Sequence, residues 1–383
     1  MSLFDGFAFS SQGYNHIKTG KECQDASGVL VNDLMSIIVV ADGHGSDNYP
    51  RTKLGAEFAV GVATQSIECF VKNLNDSQEV FDYDDKQNVQ LTDLAKNILL
   101  NWHSMVESDL EVNPFTDDEL VNVSDKHKQM YMSEDTVSKA KAYGTTLIAI
   151  CITPEYWFGI HLGDGKCISF NDKLVCSEPI PWDDDCQANI TTSLCDSKAI
   201  DEFRFFKSRE LPWAVFIGSD GIDDSYASET ELQNLYRTIF LLFYEQDREK
   251  AKETVKEFLP GFSQNGSGDD VSIAGLVNTK LSKNAIEYLK AQIEYENAIS
   301  ACQKLDTECK IAEEKVSYIQ TALQKNHEPI SDEERLIKAK ESFEAKLLEK
   351  SAAAERYQDA ENKYDKAKRA FKSDCEESDS IEQ

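Results

Sequence analysis

Met35-Ser36-Ile37-Ile38-Val39-Val40-Ala41-Asp42-Gly43-His44-Gly45 joins a nearly unbroken apolar run to an acidic turn flanked by glycines. A strand with one wet face alternates apolar and polar residues; this run does not, so it predicts a strand covered on both faces. Its end holds Asp42 rigidly, and Gly43 and Gly45 let the backbone approach a ligand closely. Read alone, the same residues also describe an ordinary strand-ending turn, for which Asp-Gly is common punctuation.

Outward from that stretch, further runs rich in Val, Ile and Phe occur at 27–31, 145–152, 157–162, 213–217 and 271–277. Between them, apolar residues spaced by three and four predict helices over 53–71, 91–110 and 229–258. The pattern is α+β, with sheets sandwiched between helices. Residues 171–209 show few regular features.

The grammar changes at 281, which divides the chain into a first domain, 1–280, and a second, 281–383. The second is made of helix formers without glycine, and its one proline is Pro329. Cys302, Leu305, Cys309, Ala312, Val316, Ile319 and Leu323 make a heptad seam, which Ile286, Leu289 and Ile293 join imperfectly. Asn326-His327-Glu328-Pro329-Ile330 interrupts it, and Ser331 with Glu334 reads as a capping box restarting a helix. A second seam then runs through Leu336, Ala339, Phe343, Ala353, Tyr357, Ala360, Tyr364, Ala367 and Phe371. Two long helices joined by a short turn fold most simply into an antiparallel hairpin or coiled coil, with 373–383 as a frayed acidic tail. Such an element serves dimerisation, partner binding or the stability of the first domain.

Composition narrows the function. With 383 residues, 41% hydrophobic and 10% aromatic, the chain can bury a real core despite its charge. A net charge of -29 argues against a nucleic-acid surface, which needs Lys and Arg to replace counterions. Most of the excess lies in the first domain, -23 against -6 in the second, and suits a protein that gathers cations. No stretch approaches the ~20 apolar residues that cross a bilayer, and the first residues lack the basic flank and apolar core of an export signal. The expectation is a cytoplasmic protein without a membrane partner. Ten cysteines contain no CxxC pair, which disfavours disulfides and a zinc site.

The Asp42 design recurs. Phe216-Ile217-Gly218-Ser219-Asp220-Gly221 again delivers Asp then Gly from an apolar run, and Gly268-Asp269-Asp270-Val271 leads carboxylates into one. Gly163-Asp164-Gly165 lies between two strands, and Gln24-Asp25 precedes another. Carboxylates crowded together repel, so a common site is tolerable only with protons or divalent cations between them. Oxygen ligands alone point to Mg²⁺ or Mn²⁺.

In this order the motifs resemble the metal-dependent serine/threonine protein phosphatases of the 2C type. The resemblance rests on Cys23-Gln24-Asp25, Asp42-Gly43-His44-Gly45, Gly144-Thr145-Thr146-Leu147, Leu162-Gly163-Asp164, Ser219-Asp220-Gly221-Ile222 and Asp269-Asp270-Val271-Ser272, over about 7–277. It implies a four-layer αββα fold, a β-sandwich of two antiparallel sheets flanked by helices. It also implies hydrolysis of phosphoserine and phosphothreonine in proteins by a water activated between two divalent cations, Mg²⁺ or Mn²⁺, without a phosphoenzyme. Asp42 would bridge the two metals, with the carbonyl of Gly43 on one and Asp220 and Asp269 on the other. Asp25 would act through water, Asp164 and Asp224 would form a third, weaker site, and His44 would be the general acid. The implied partners are a phosphorylated protein substrate and an opposing kinase in a signalling pair.

Two departures qualify the resemblance. The family's phosphate-gripping arginine, five residues before the early aspartate, is replaced by Gly20, with Lys18, Lys21 and His16 as nearby candidates. Gln24 stands where the family commonly has glutamate. Alternative readings are therefore a catalytically weak or inactive module that binds phosphoprotein, and a phosphatase of a small metabolite. The irregular segment holds Pro179-Ile180-Pro181-Trp182 and Asp183-Asp184-Asp185 where the family carries a variable flap, which would border the site as an acidic loop.

Overall fold

The computed structural model describes residues 3–74, 80, 88–181, 191–226, 228–325 and 331–381. Contacts divide it into two units, Met1–Lys280 and Leu281–Gln383.

The first unit holds two five-stranded sheets in which every neighbouring pair is antiparallel. One runs β1 (Phe4–Ser11), β10 (Val271–Asn278), β9 (Ala214–Gly218), β6 (Lys166–Phe170), β7 (Cys176–Ser177). The other runs β2 (Ala26–Val31), β3 (Ser36–Ala41), β4 (Leu147–Ile152), β5 (Trp157–Leu162), β8 (Arg204–Ser208). The helices of this unit are α1 (Tyr14–Thr19), α2 (Thr52–Asn73), α3 (Val89–Val112), α4 (Asp125–Tyr131), α5 (Thr136–Lys139), α6 (Ala199–Glu202), α7 (Asp220–Asp223), α8 (Glu229–Glu245) and α9 (Arg248–Asn265).

β3 shows why its sequence does not alternate. Ile37, Val39 and Ala41 face a core shared with Ala56, Ala59 and Ala63 of α2 and Ile98 and Trp102 of α3. Ile38 and Val40 face the opposite way, into a core between the sheets with Ile148 and Ile150 of β4, Val215 and Ile217 of β9, and Ala274 and Leu276 of β10. Each such side chain contributes about 2 kcal/mol by leaving water, and both faces are occupied. Beyond the first sheet an aromatic layer joins Phe7, Phe170 and Phe216 to Tyr236, Phe240 and Phe243 of α8. Helix, sheet, sheet, helix is the four-layer αββα sandwich.

Arg51 anchors α2 to α3. It is 6% exposed, and its guanidinium donates to Glu119 Oε1 at 2.9 Å, Asp109 Oδ2 at 3.0 Å, the Asn113 carbonyl at 2.7 Å and Tyr143 Oη at 2.7 Å. Gly55, one turn on, meets Tyr143 so closely that a Cβ would lie 1.8 Å from its carbonyl oxygen.

The structure corrects several sequence expectations. The stretch 229–258 is two helices, broken where Asp247 accepts from the Glu249 amide at 3.0 Å and starts α9. Residues 171–209 contain β7, α6 and β8; residues 182–190, including the Asp183-Asp184-Asp185 run, lie outside the described residues. α2 is long and apolar enough to cross a membrane by composition, but its small buried residues pack on β2 and β3.

The second unit is α10 (Lys283–Lys325) and α11 (Ser331–Ile381). Their partners run in opposite directions: Tyr288 meets Phe371 at 5.2 Å, Tyr295 meets Tyr357 at 5.6 Å, Asp306 pairs with Lys350 and Glu308 with Lys346. This is an antiparallel hairpin. Tyr288 and Tyr295 interleave with Tyr357, Tyr364 and Phe371 in a ladder that the aliphatic seam of α10 does not announce. α11 continues to Ile381 where the sequence suggests a frayed tail, and the interruption at 326–330 lies outside the described residues.

Candidate metal centre

The ends of four strands, β2, β3, β9 and β10, and the turn between β5 and β6 carry the aspartates. At the end of β3 the backbone of Asp42 is clamped: its amide donates to Thr146 Oγ1 at 3.0 Å, and its carbonyl accepts from the Thr146 amide and Thr145 Oγ1, both at 2.8 Å. Gly144-Thr145-Thr146 therefore fixes the direction in which Asp42 points. Gly43 bridges to Thr145, and a Cβ there would lie 2.5 Å from the Gln24 carbonyl oxygen, so the loop before Asp25 rests on it.

At the end of β9, Ser219 exchanges bonds with Ser272 of β10, its amide donating to the Ser272 carbonyl and its Oγ accepting from the Ser272 amide, both at 3.0 Å. Gly221 passes so close to β10 that a Cβ would fall 2.0 Å from the Asp270 carbonyl oxygen. This brings Asp220 beside Asp269 and Asp270. Asp164 follows Gly163, whose φ of 113° needs glycine, in the turn between β5 and β6.

These carboxylates converge. Asp42 stands between Asp25 and Asp220, within hydrogen-bonding reach of each, and Asp164 acts on both Asp42 and Asp220. Asp269 and Asp224 act on Asp220 from the exposed rim. Burial, reinforced by Asp270 and Asp220, pushes Asp25 up to about 8. Burial, with Asp25 and Asp220 adding to it, holds Asp42 well above the usual carboxylate range. Burial lifts Asp220 to about 6, with Asp164, Asp269 and Asp224 adding to the rise, and burial raises Asp164.

Asp25 is 7% exposed, and neither of its oxygens meets a donor at hydrogen-bonding geometry, although Ser272 and Asp42 are its neighbours. A buried carboxylate without donors costs several kcal/mol when charged and is relieved by a proton or a cation. The donor set is all oxygen, which fits a hard divalent cation. Asp25, Asp42, Asp164 and Asp220 could hold such ions inside, with Asp269 and Asp224 at the rim.

The expected proton donor and phosphate ligands fare differently. His44 packs edge-on against Tyr49 at 4.6 Å, and burial, helped by Lys141, lowers it to about 4. At neutral pH its imidazole is neutral, which works against the general-acid role. Lys21 is engaged by Asp47 Oδ1 at 2.6 Å and the Gly45 carbonyl at 3.1 Å, so it ties two loops together rather than standing ready for phosphate. Lys18 lies over the Tyr14 ring, 3.9 Å from its centroid. Gly20 caps α1 in the left-handed region at φ 74°, a conformation that strains an arginine. His16 is 2.9 Å from Asp270 Oδ1 and 3.9 Å from Asp269 Oδ1.

Sequence reasoning passed over two carboxylates. Asp270, 3% exposed, accepts from the amides of Gly13 and Gln24, each at 2.6 Å, and so ties the segment leading to Asp25 onto β10. Asp223, the last residue of α7, is raised to about 8 chiefly by burial and sits 3.7 Å from Lys166. The signal for both was the same: a doubled Asp at the edge of an apolar run.

The Protein phosphatase 2C family model matches residues 12–260. Similar solved structures include a bacterial serine phosphatase (14% identity, 73% of this chain and 99% of that chain, TM-score 0.47). They also include the Mycobacterium tuberculosis serine/threonine phosphatase PstP in complex with 2 manganese ions (14%, 72% and 98%, 0.43). Serine/threonine phosphatase Stp1 from Staphylococcus aureus is a third (14%, 72% and 95%, 0.45). No curated protein matches the sequence. With the family model spanning well over half of its residues, this chain belongs to the protein phosphatase 2C family.

Proposed function

We propose that this chain hydrolyses phosphoserine and phosphothreonine in proteins with the help of two divalent cations, Mg²⁺ or Mn²⁺, shared through Asp42. The observation that carries the reading is the position of Asp42 between Asp25 and Asp220, with Asp25 buried and without a donor. Asp25 and the Gly43 carbonyl would serve one ion, Asp220 and Asp269 the other, and Asp164 with Asp224 a weaker third. Bound there, the ions would supply the positive charge that neutralises the phosphate and makes a nearby water acidic enough to attack. The protein's own share is positional: the Thr145 and Thr146 clamp aims Asp42, and Asp270 fixes the approach to Asp25. His44 takes part as a neutral imidazole, a hydrogen-bonding group rather than a proton store.

Purified protein with Mn²⁺ is expected to release phosphate from a phosphothreonine peptide, and Asp42→Asn is expected to abolish the release. Equal turnover by the two proteins would refute the site. The pairing of Lys21 and the cap at Gly20 favour a weak grip on the phosphate, hence a high KM. The hairpin is proposed as the element that recruits a partner, a kinase among the candidates, or a second copy. An unchanged monomeric mass by light scattering after deletion of 281–383 would remove the dimer.

A further inference from the structure

Tyr236 of α8 is 0% exposed, and its hydroxyl meets no hydrogen-bond partner among the described residues. A buried tyrosine hydroxyl ordinarily finds one, because folding strips it of the water that satisfied it before. Burial pushes the phenol well above the ordinary tyrosine range, with Asp223 adding to the rise, so the oxygen keeps its hydrogen and has it to donate. The ring stacks on Phe216 of β9 at 5.4 Å. The hydroxyl is aimed at the end of that strand, since a Cβ on Gly218 would lie 2.9 Å from it. Ser219 and Asp220 follow directly, so the oxygen sits beside the strand end that delivers a candidate ligand.

Lys166 of β6 pairs with Gly218 in register. Its Nζ is 3.7 Å from Asp223 Oδ2 and 3.9 Å from Glu178 Oε1, ion-pair distances too long for direct hydrogen bonds. The other oxygen of Asp223, Oδ1, is buried and meets no donor among the described residues. In either protonation state Asp223 keeps an oxygen that can accept. An orphaned donor and an orphaned acceptor therefore lie near each other, with Asp223 the foremost charged neighbour of Tyr236. Neither reaches the other directly, and water is the small ligand that accepts from one and donates to the other.

We propose that a buried water joins Tyr236 Oη to Asp223 Oδ1, and that Tyr236 is thereby a positioning residue for the metal centre. Asp223 closes α7, the single turn that begins with Asp220 and is capped by Asp224. Tying its side chain to a hydroxyl whose ring is fixed on β9 sets the angle at which that turn presents both carboxylates. The proposal rests on the reading that Asp220 and Asp224 hold cations, and adds to it an anchor on α8.

Tyr236→Phe removes the oxygen and keeps the ring. Calorimetry on the full chain is expected to show Mn²⁺ binding weakened about tenfold. At saturating Mn²⁺ the KM for a phosphothreonine peptide should stay within about twofold of the wild type. In an Asp223→Ala background the same substitution should cost less than about twofold in Mn²⁺ affinity, because the link is already gone. A crystal structure of the wild type should show a water within hydrogen-bonding distance of both oxygens, a result that stands whether or not the variants fold. No ordered water there, unchanged Mn²⁺ affinity in Tyr236→Phe, a change confined to the peptide KM, or an equal loss in both backgrounds overturns the proposal and leaves the carboxylate centre intact. Failure of the wild type to bind Mn²⁺ overturns the centre, and the positioning role with it.

Discussion

Asp25→Asn replaces a deeply buried carboxylate neither of whose oxygens meets a donor at hydrogen-bonding geometry, and the consequence for stability can be worked out before any metal is added. In the fold Asp25 keeps its proton up to about 8, against 3.8 when unconstrained. Between those values the folded chain therefore holds one proton that the unfolded chain has released. Stability rises with pH only where the unfolded state binds more protons, so here the sign is the reverse: stability falls as pH rises. One proton corresponds to 1.36 kcal/mol per pH unit, so from pH 5 to pH 8 the wild type loses about 4 kcal/mol at this residue. Asparagine keeps the shape, cannot ionise and can donate towards Asp42. Denaturant unfolding in EDTA should thus show Asp25→Asn more stable than wild type, by a margin that grows by about 4 kcal/mol between pH 5 and 8. A variant less stable than wild type at pH 8, or a margin independent of pH, would show that Asp25 is not an uncompensated carboxylate.

Arg51→Met removes the cation that Asp109 and Glu119 share and should lower unfolding free energy by about 3 kcal/mol or more, measured in guanidinium at pH 7. Gly221→Ala sets a methyl 2.0 Å from the Asp270 carbonyl oxygen; the backbone must shift, and calorimetry should show a loss of Mn²⁺ binding together with a lower Tm. His44→Gln preserves a neutral hydrogen-bonding group, so phosphopeptide hydrolysis should fall by less than about tenfold; a loss on the order of a thousandfold would restore the general-acid role.

How much of this was legible depended on whether burial or only local pattern set each feature. β3 could be read because both of its faces are covered, which leaves an apolar run with no polar interruptions. β1 and β8 are edge strands, and residues such as Asp5, Gly6, Arg204 and Lys207 break the pattern that marks a strand. The aspartates were visible through their glycines, since Asp-Gly at the end of an apolar run is a local signal. Their depth was not: Asp269 is exposed and Asp270 buried because successive residues entering a strand point to opposite sides. The Gly20 cap was equally hidden, because a one-turn helix is too short to leave a period. The tyrosine ladder of the hairpin depends on which residues of α10 and α11 lie opposite each other, a matter of register between helices rather than of either sequence.

The account stands on the claim that Asp42 is shared between cations. Calorimetric titration of Mn²⁺ at pH 7.5 tests it most directly, with at least two ions per chain expected for the wild type and a clear loss of stoichiometry for Asp42→Asn. Binding should weaken as pH falls towards 6, because protons compete for Asp25 and Asp220. Fewer than two ions on the wild type, or the same titration for both proteins, would contradict it.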